Sequence, residues 1–134
     1  MDNPEKESAP GRQPSILIVE DVPMIHEVIE RSLTDLNAVF ISVRDGLTAM
    51  DEIEVAIPDL IILDLALPVL DGWEVLRRLH SDDRTSGIPV VVMTAHGQSG
   101  LEQDVKRLGA SAYLEKPFRP RDLRTAVYEV LGMS

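Results

Sequence analysis

Residues 59–64 have the sequence DLIILD, in which four consecutive apolar residues stand between two aspartates. A short continuous apolar run of this kind is typical of a strand buried on both faces of a parallel sheet. We therefore predict a strand from Asp59 to Leu63, followed at once by Asp64. Comparable runs at 15–19 (SILIV) and 88–93 (IPVVVM) predict two further strands.

Segments with helical spacing of apolar residues separate these runs. The spacing predicts helices from Pro23 to Leu36, from Asp45 to about Ile57, from Asp71 to Leu79, across the stripe 101–108 closed by Gly109, and from Pro120 to about Gly132. Strands at 38–43 and 110–114 complete an alternating pattern of five strands and five helices. This alternation predicts one α/β domain, a doubly wound parallel sheet with helices on both faces.

Composition sets limits on the function. The 134 residues include 23 acids and 13 bases, for a net charge of −10, and no cysteine. Such acidity opposes nucleic acid or an anionic membrane as the main partner and favours divalent cations or a partner with a basic or apolar docking face. Solubility alone could also explain most of the acidic excess. Residues 1–14 are polar and contain three prolines, which predicts a disordered tail before a domain at 15–134. With no secretory signal and no apolar run long enough to cross a membrane, we expect a soluble cytoplasmic protein.

Polar residues follow four of the predicted strands. They are Glu20 and Asp21 after the first, Asp64 after the third, Thr94 after the fourth and Lys116 after the fifth. Each has an ordinary alternative role, such as a helix cap, a turn residue or a surface charge. Together they stand where the carboxyl ends of parallel strands form a site. Three acids, a hydroxyl and an ammonium suit Mg²⁺-assisted phosphoryl transfer onto a carboxylate.

Several segments resemble the bacterial response-regulator receiver family. They are 16–21 (ILIVED), 58–68 (PDLIILDLALP), 71–72 (DG), 93–95 (MTA) and 109–118 (GASAYLEKPF), and the resemblance extends over about residues 15 to 131. It implies a flavodoxin-like sheet with strand order 2-1-3-4-5. It also implies that Asp64 accepts a phosphoryl group from a sensor histidine kinase or histidine phosphotransferase in a two-component phosphorelay, with no other enzyme activity.

The resemblance assigns roles to the metal and phosphoryl ligands. Mg²⁺ would be held by Asp21, by Asp64, by the backbone carbonyl of Ala66 and, largely through water, by Glu20. Thr94 and Lys116 would contact the phosphoryl group, and the peptide bond between Lys116 and Pro117 would be cis. Glu20 stands where the family more often has Asp, so we expect a slightly altered metal geometry, and Mg²⁺ tolerates little distortion.

The resemblance also indicates how a signal would be switched and passed on. Thr94 and Tyr113 match the family's switch pair, and the positions of Ala66 and His96 tune the lifetime of the phosphoryl group. His96 could shield the phosphate or simply face solvent, and both readings stay open. The fourth helix, fifth strand and fifth helix would bind an unknown downstream protein, and we expect a monomer or weak dimer.

The three residues after Asp21 are apolar, namely Val22, Pro23 and Met24. We call this segment the apolar step. They could cap and staple the first helix or dock the kinase, and we favour docking. We interpret His26 and His80 as ordinary surface residues of the first and third helices.

Two competing functions fail on particular residues. A phosphatase of the haloacid-dehalogenase type needs a second Asp two residues after the nucleophile, where this chain has Ala66. A flavodoxin-like nucleotide carrier needs a Gly- or Thr-rich phosphate loop after the first strand, where Glu20 and Asp21 would repel phosphate. The initial Met and the short tail favour a receiver that stands alone over one excised from a longer regulator or hybrid kinase.

Overall fold

The computed structural model describes residues 13–95 and 100–133. The part of the predicted tail up to residue 12 lies outside these residues. In the described chain, strands and α-helices alternate in the order β1 (Ser15–Val19), α1 (Pro23–Ser32), β2 (Val39–Val43), α2 (Gly46–Val55), β3 (Leu60–Asp64), α3 (Gly72–Ser81), β4 (Val90–Ala95), α4 (Leu101–Arg107), β5 (Ala112–Lys116) and α5 (Pro120–Val130). No helix in these ranges is long and apolar enough to cross a membrane.

The five strands form one parallel sheet in the order β2-β1-β3-β4-β5. This confirms the doubly wound fold and the strand order. The interior strands β1, β3 and β4 are almost fully buried, whereas β2 and β5 at the edges are partly exposed. The continuous apolar runs therefore mark the strands that are covered on both faces.

Alternate residues of each interior strand pack into two different apolar clusters. Leu17 and Leu63 belong to the cluster covered by α2, α3 and α4, while Ile16 and Ile62 belong to the cluster covered by α1 and α5. Because successive side chains of a strand point to opposite faces, one unbroken apolar run supplies both clusters. The sheet is thereby held between two helical layers, and its carboxyl edge is left open between the loops.

Two helices begin at the predicted positions, with Asp45 and Asp71 as their N-cap residues. Asp45 accepts a hydrogen bond from the Thr48 backbone N–H at 2.7 Å, and Asp71 accepts one from the Glu74 N–H at 2.9 Å. Each bond satisfies a donor that the first turn of a helix leaves free. The second of these caps fixes the loop that runs from Asp64 into α3.

Several boundaries differ from the predicted ones. The first helix ends at Ser32 and is followed by a 3₁₀ turn, Thr34–Leu36, where the Thr34 hydroxyl donates to the Arg31 carbonyl and competes with the helical bonds. Strand β5 lies two residues later than predicted, because the N–H of Ala110 still donates to the Val105 carbonyl in the turn that leaves α4. Strand β4 is also later, since the N–H of Ile88 donates back to Thr85 in a turn. Lys116 is therefore the last residue of β5, inside the sheet.

Candidate functional site

The predicted site residues lie at one edge of the sheet. Glu20 and Asp21 directly follow β1, Asp64 ends β3, Thr94 is the penultimate residue of β4 and Lys116 ends β5. Parallel strands bring all these ends to the same edge. One carboxylate oxygen from each of Glu20, Asp21 and Asp64 lies within 4.8 Å of the other two. The structure thus brings together the three acids on which the predicted metal site depends.

Lys116 occupies the space between two of these acids. Its Nζ lies 2.7 Å from Oε1 of Glu20 and 3.2 Å from Oδ2 of Asp64. Both carboxylates are buried, and the lysine side chain is mostly buried as well. The ammonium therefore compensates part of a largely buried negative charge.

The surroundings change the acidity of this ion pair. Burial raises the pKa of Glu20, and the charge of Asp64 raises it further, while Lys116 and the Val22 N–H oppose the shift without cancelling it. Burial alone would lower the pKa of Lys116, but its hydrogen bond to Glu20 and the charges of both acids outweigh burial and raise it. Lys116 thus stays an ammonium over the whole neutral range, whereas Glu20 holds a proton more readily than an exposed glutamate does.

Asp64 is held from two sides. Its Oδ1 accepts a hydrogen bond from the backbone N–H of Ala66 at 3.2 Å, and its other oxygen faces Lys116. Only 3% of the residue is exposed. Gly72 brings the start of α3 against it, since a Cβ at this glycine would lie 2.3 Å from the Asp64 carbonyl oxygen. The carboxylate therefore has a defined orientation beside the other two acids.

The first two acids are fixed through their backbone as well as their side chains. Oε2 of Glu20 accepts from the Val22 N–H at 3.1 Å, and Nη2 of Arg44 donates to the Asp21 carbonyl at 3.3 Å. Glu20 is fully buried, and Asp21 is half-buried. Asp21 consequently offers its carboxylate at the mouth of the site, while Glu20 lies below it.

The candidate switch residues project from the same face of the sheet. Tyr113 pairs with Val92 in the β4–β5 register, two residues before Thr94, so both side chains point to the α3–α4 side. Thr94 is buried and lines a cavity of about 160 Å³ together with Leu65, Ala66, Trp73 and Ala95. Tyr113 is half-buried and lines a surface groove with Glu102 and Asp122. His96, the other candidate for tuning the phosphoryl lifetime, lies outside the described residues.

The interpretation of His26 as a surface residue is wrong. Only 8% of His26 is exposed, and its Nε2 lies 2.5 Å from the carbonyl oxygen of Glu20. The sequence carried a signal for this, because 26, 29 and 33 recur at helical spacing and both Ile29 and Leu33 are buried. His80 is exposed, as interpreted.

The apolar step after the acidic pair is exposed. Val22 is 42% exposed and Met24 72%. Val22 is the N-cap residue of α1, and its side chain makes no capping hydrogen bond. A hydrophobic staple needs an apolar residue before the N-cap, but that residue is Asp21, so the staple is absent at this helix start. Beside the step, an apolar groove of about 460 Å³ is lined by Ile25, Val28, Ala95, Lys116, Pro117 and Phe118. The peptide bond between Lys116 and Pro117 is cis, as the resemblance implied.

Comparison with known proteins identifies the family. The family model of the response regulator receiver domain matches residues 16–128, and the chain belongs to this family. The chain is 34% identical over 118 residues to sporulation initiation phosphotransferase F of Bacillus subtilis, an alignment that covers 88% of this chain and 94% of that protein. The protein is thus a receiver domain of two-component signalling.

Other relatives are longer proteins. The chain is 33% identical over 119 residues to response regulator Rre1 of Synechocystis, which covers 88% of this chain but 52% of that protein. The chain spans about half the length of this and other curated relatives.

Among solved structures, the chain is similar to the receiver domain of a sensor histidine kinase from Pseudomonas aeruginosa, with a TM-score of 0.79 and 32% identity. The match covers 90% of this chain and 98% of that one, and that structure is described with a magnesium ion coordinated in its active site cleft.

Proposed function

We propose that Asp64 accepts a phosphoryl group from a phosphohistidine of a histidine kinase or a histidine phosphotransfer protein. The observation that carries this proposal is the geometry of the Asp64 carboxylate. It is buried and held by the Ala66 N–H, faces the Lys116 ammonium, and lies within 4.8 Å of two further acids. A carboxylate fixed in this way beside compensating charge can act as a nucleophile, because the positioning is already in place before the donor arrives.

The transfer exchanges one bond for another. An oxygen of Asp64 forms a bond to phosphorus as the bond between phosphorus and the imidazole nitrogen of the donor breaks, and the electron pair leaves with that imidazole. Lys116 lies 3.2 Å from Asp64, so its ammonium can move onto an oxygen of the transferred group. The hydroxyl of Thr94, which is buried on the neighbouring strand, can donate to another. These two donors stabilise the negative charge on the phosphoryl oxygens, which the Asp64 carboxylate alone would repel.

The residues present fit a divalent cation. Three carboxylate oxygens converge at one edge, two of them from buried residues, and a single ammonium compensates them only in part. Oxygen ligands of this kind suit Mg²⁺, which would be held by Asp21, Asp64 and the carbonyl of Ala66, with Glu20 acting through water. When bound, Mg²⁺ would neutralise charge on the phosphoryl oxygens during transfer. Glu20 is the longer acid, and its bond to Lys116 keeps it below the mouth of the site.

The test is phosphorylation by a small donor. Incubation with acetyl phosphate and Mg²⁺ should add one phosphoryl group per chain, and hydroxylamine should remove it, as it does an acyl phosphate. Asp64→Asn should not be labelled. Asp83→Asn, which removes an exposed acid from the loop after α3, is the matched control and should be labelled like the wild type. Stable stoichiometric labelling of Asp64→Asn at serine or threonine would contradict the assignment.

We infer that the donor protein docks on the apolar step at 22–24 and the adjoining groove. Both border the cleft, since Lys116 lines the groove and also touches Glu20 and Asp64. A donor whose phosphohistidine reaches Asp64 must cover this rim, and exposed Met24 is an apolar contact for it. Val22→Asp combined with Met24→Asp should slow transfer from a cognate donor protein but leave acetyl phosphate labelling nearly intact. A parallel fall in both reactions would show damage to the site instead.

Two further proposals concern the lifetime of the phosphoryl group on Asp64 and the binding of a downstream protein. Ala66 carries no side chain that could orient a water, so we propose that His96 affects the decay of the phosphoryl group more than its formation. His96→Ala should change the decay rate by about threefold or more, a barrier change of at least about 0.6 kcal/mol. Inward movement of Tyr113 toward Thr94 would alter the face formed by α4, β5 and α5, which would bind the downstream protein.

A further inference from the structure

His26 is a buried polar residue for which the proposed phosphoryl transfer has no use. It lies on the buried stripe of α1, and its Nε2 is 2.5 Å from the carbonyl oxygen of Glu20. Its other ring nitrogen, Nδ1, is buried without a hydrogen-bond partner among the described residues. A carbonyl oxygen only accepts, so Nε2 carries the proton and donates it.

This arrangement is unfavourable for stability alone. A buried nitrogen without a partner loses its hydrogen bonds to water and gains none in return. An apolar residue of similar size would fill the same place on the stripe of Ile29 and Leu33 without that loss. The histidine therefore needs another explanation, and its hydrogen bond to the carbonyl of Glu20 suggests one.

That carbonyl belongs to the peptide between Glu20 and Asp21. The orientation of this peptide sets the direction of the Glu20 carbonyl oxygen. It also sets the direction in which the Asp21 side chain projects. Glu20 N–H donates to the Val43 carbonyl at 3.1 Å, and Arg44 holds the next carbonyl, that of Asp21. The bond from His26 fixes the peptide plane that lies between these two anchors. Mg²⁺ requires nearly ideal oxygen positions, so a small rotation of this plane would weaken its binding.

We propose that His26 is a positioning residue of the cation site: its Nε2–H holds the Glu20 carbonyl so that the carboxylates of Asp21 and Asp64 converge on one divalent cation. This inference rests on the proposed function, because it assigns the cation to that site. It adds a residue on α1 that touches neither the cation nor the phosphoryl group.

The test compares side chains that keep or lose the donor. His26→Gln places an amide N–H at about the reach of Nε2, whereas His26→Asn carries the same amide but is too short. His26→Leu removes the donor and fills the space. Leu33→Ala is the stability control, because it opens a cavity in the apolar cluster beneath α1, directly after the end of the helix that lies away from Glu20. Mg²⁺ dissociation constants would be measured by calorimetry and by the fluorescence of Trp73, the single tryptophan, which lines the cavity beside Thr94. Urea unfolding in EDTA would give the stabilities.

We expect His26→Asn and His26→Leu to bind Mg²⁺ about threefold to tenfold more weakly than the wild type, as the loss of one hydrogen bond implies. His26→Gln should stay within about twofold of the wild type, and Leu33→Ala should lose stability with an unchanged dissociation constant. Unchanged binding in His26→Asn, or an equal loss in Leu33→Ala, would overturn the positioning role while the labelling of Asp64 still stood. Absence of any Mg²⁺ binding by the wild type would instead overturn the proposed function.

Discussion

Replacing Asp64 by Asn should stabilise the metal-free protein, although this removes the residue on which the proposed function depends. Asp64 is buried within 4.8 Å of two other carboxylates, and the Lys116 ammonium lies beside it as an opposite charge. A site that must bind a cation and a phosphoryl group keeps this repulsion, since function requires the charge. Removing one of the three negative charges should relieve it.

The distances set the magnitude. At an effective dielectric constant of about 20, two like charges 4.8 Å apart, the upper limit for these oxygens, repel by roughly 3.5 kcal/mol, and opposite charges 3.2 Å apart attract by roughly 5 kcal/mol. Asp64→Asn removes two such repulsions and one such attraction, for a difference of roughly 2 kcal/mol. Screening by solvent on the open side reduces this, and we expect a gain of about 1 kcal/mol in the free energy of unfolding.

Lys116→Met is the matching perturbation of opposite sign. It leaves Glu20 and Asp64 buried without the ammonium between them, and we expect a loss of about 2 kcal/mol. In the Asp64→Asn background the same change should be less damaging by about 1 kcal/mol or more, because one of the two uncompensated acids is gone.

Urea unfolding at neutral pH decides these expectations, with one series in EDTA and one in Mg²⁺. Mg²⁺ at about ten times its dissociation constant should stabilise the wild type by about 1.4 kcal/mol and Asp64→Asn by less. If Asp64→Asn unfolds at lower urea than the wild type in EDTA, and Mg²⁺ shifts neither protein, then the three acids do not act as one site.

Three other perturbations follow from the geometry. Burial raises the pKa of Glu20 in the folded chain above its ordinary 4.5, so the metal-free wild type should lose stability as the pH rises above 4.5. Glu20→Gln should lack this loss when urea unfolding is compared at acidic and neutral pH. Gly72→Ala should cost more than about 2 kcal/mol and slow acetyl phosphate labelling, because its Cβ would strike the Asp64 carbonyl, whereas Gly87→Ala, with open space around it, should be nearly neutral. Val69 has φ +69°, which is unfavourable for a β-branched residue. Val69→Asn should therefore raise the free energy of unfolding by about 1 kcal/mol and move the urea midpoint upward. An unchanged midpoint would contradict that strain.

Local sequence patterns predicted the presence of strands and helices better than the residues at which they begin and end. The run at 59–64 and the capping acids Asp45 and Asp71 give the third strand and two helix starts because these signals depend only on neighbouring residues. The start of β5 was misplaced by two residues because Gly109 and Ala110 continue the turn out of α4, and a hydrogen bond to Val105 decides that. His26 shares the helical spacing of Ile29 and Leu33 and is buried with them, although a polar side chain more often indicates an exposed position.

The sequence by itself determined that apolar strands alternate with helices and that acids, a threonine and a lysine follow those strands. Apolar periodicity and turn chemistry act over a few residues, so they can be read without the fold. Only the tertiary structure decided how these residues meet. Lys116 lies 96 positions from Glu20 in sequence and 2.7 Å from it in space, a distance that depends on the order and register of strands across the sheet. The burial that raises the pKa of Glu20, and the bond from His26 to its carbonyl, likewise exist only once α1 packs against β1, because desolvation is a property of the assembled layers.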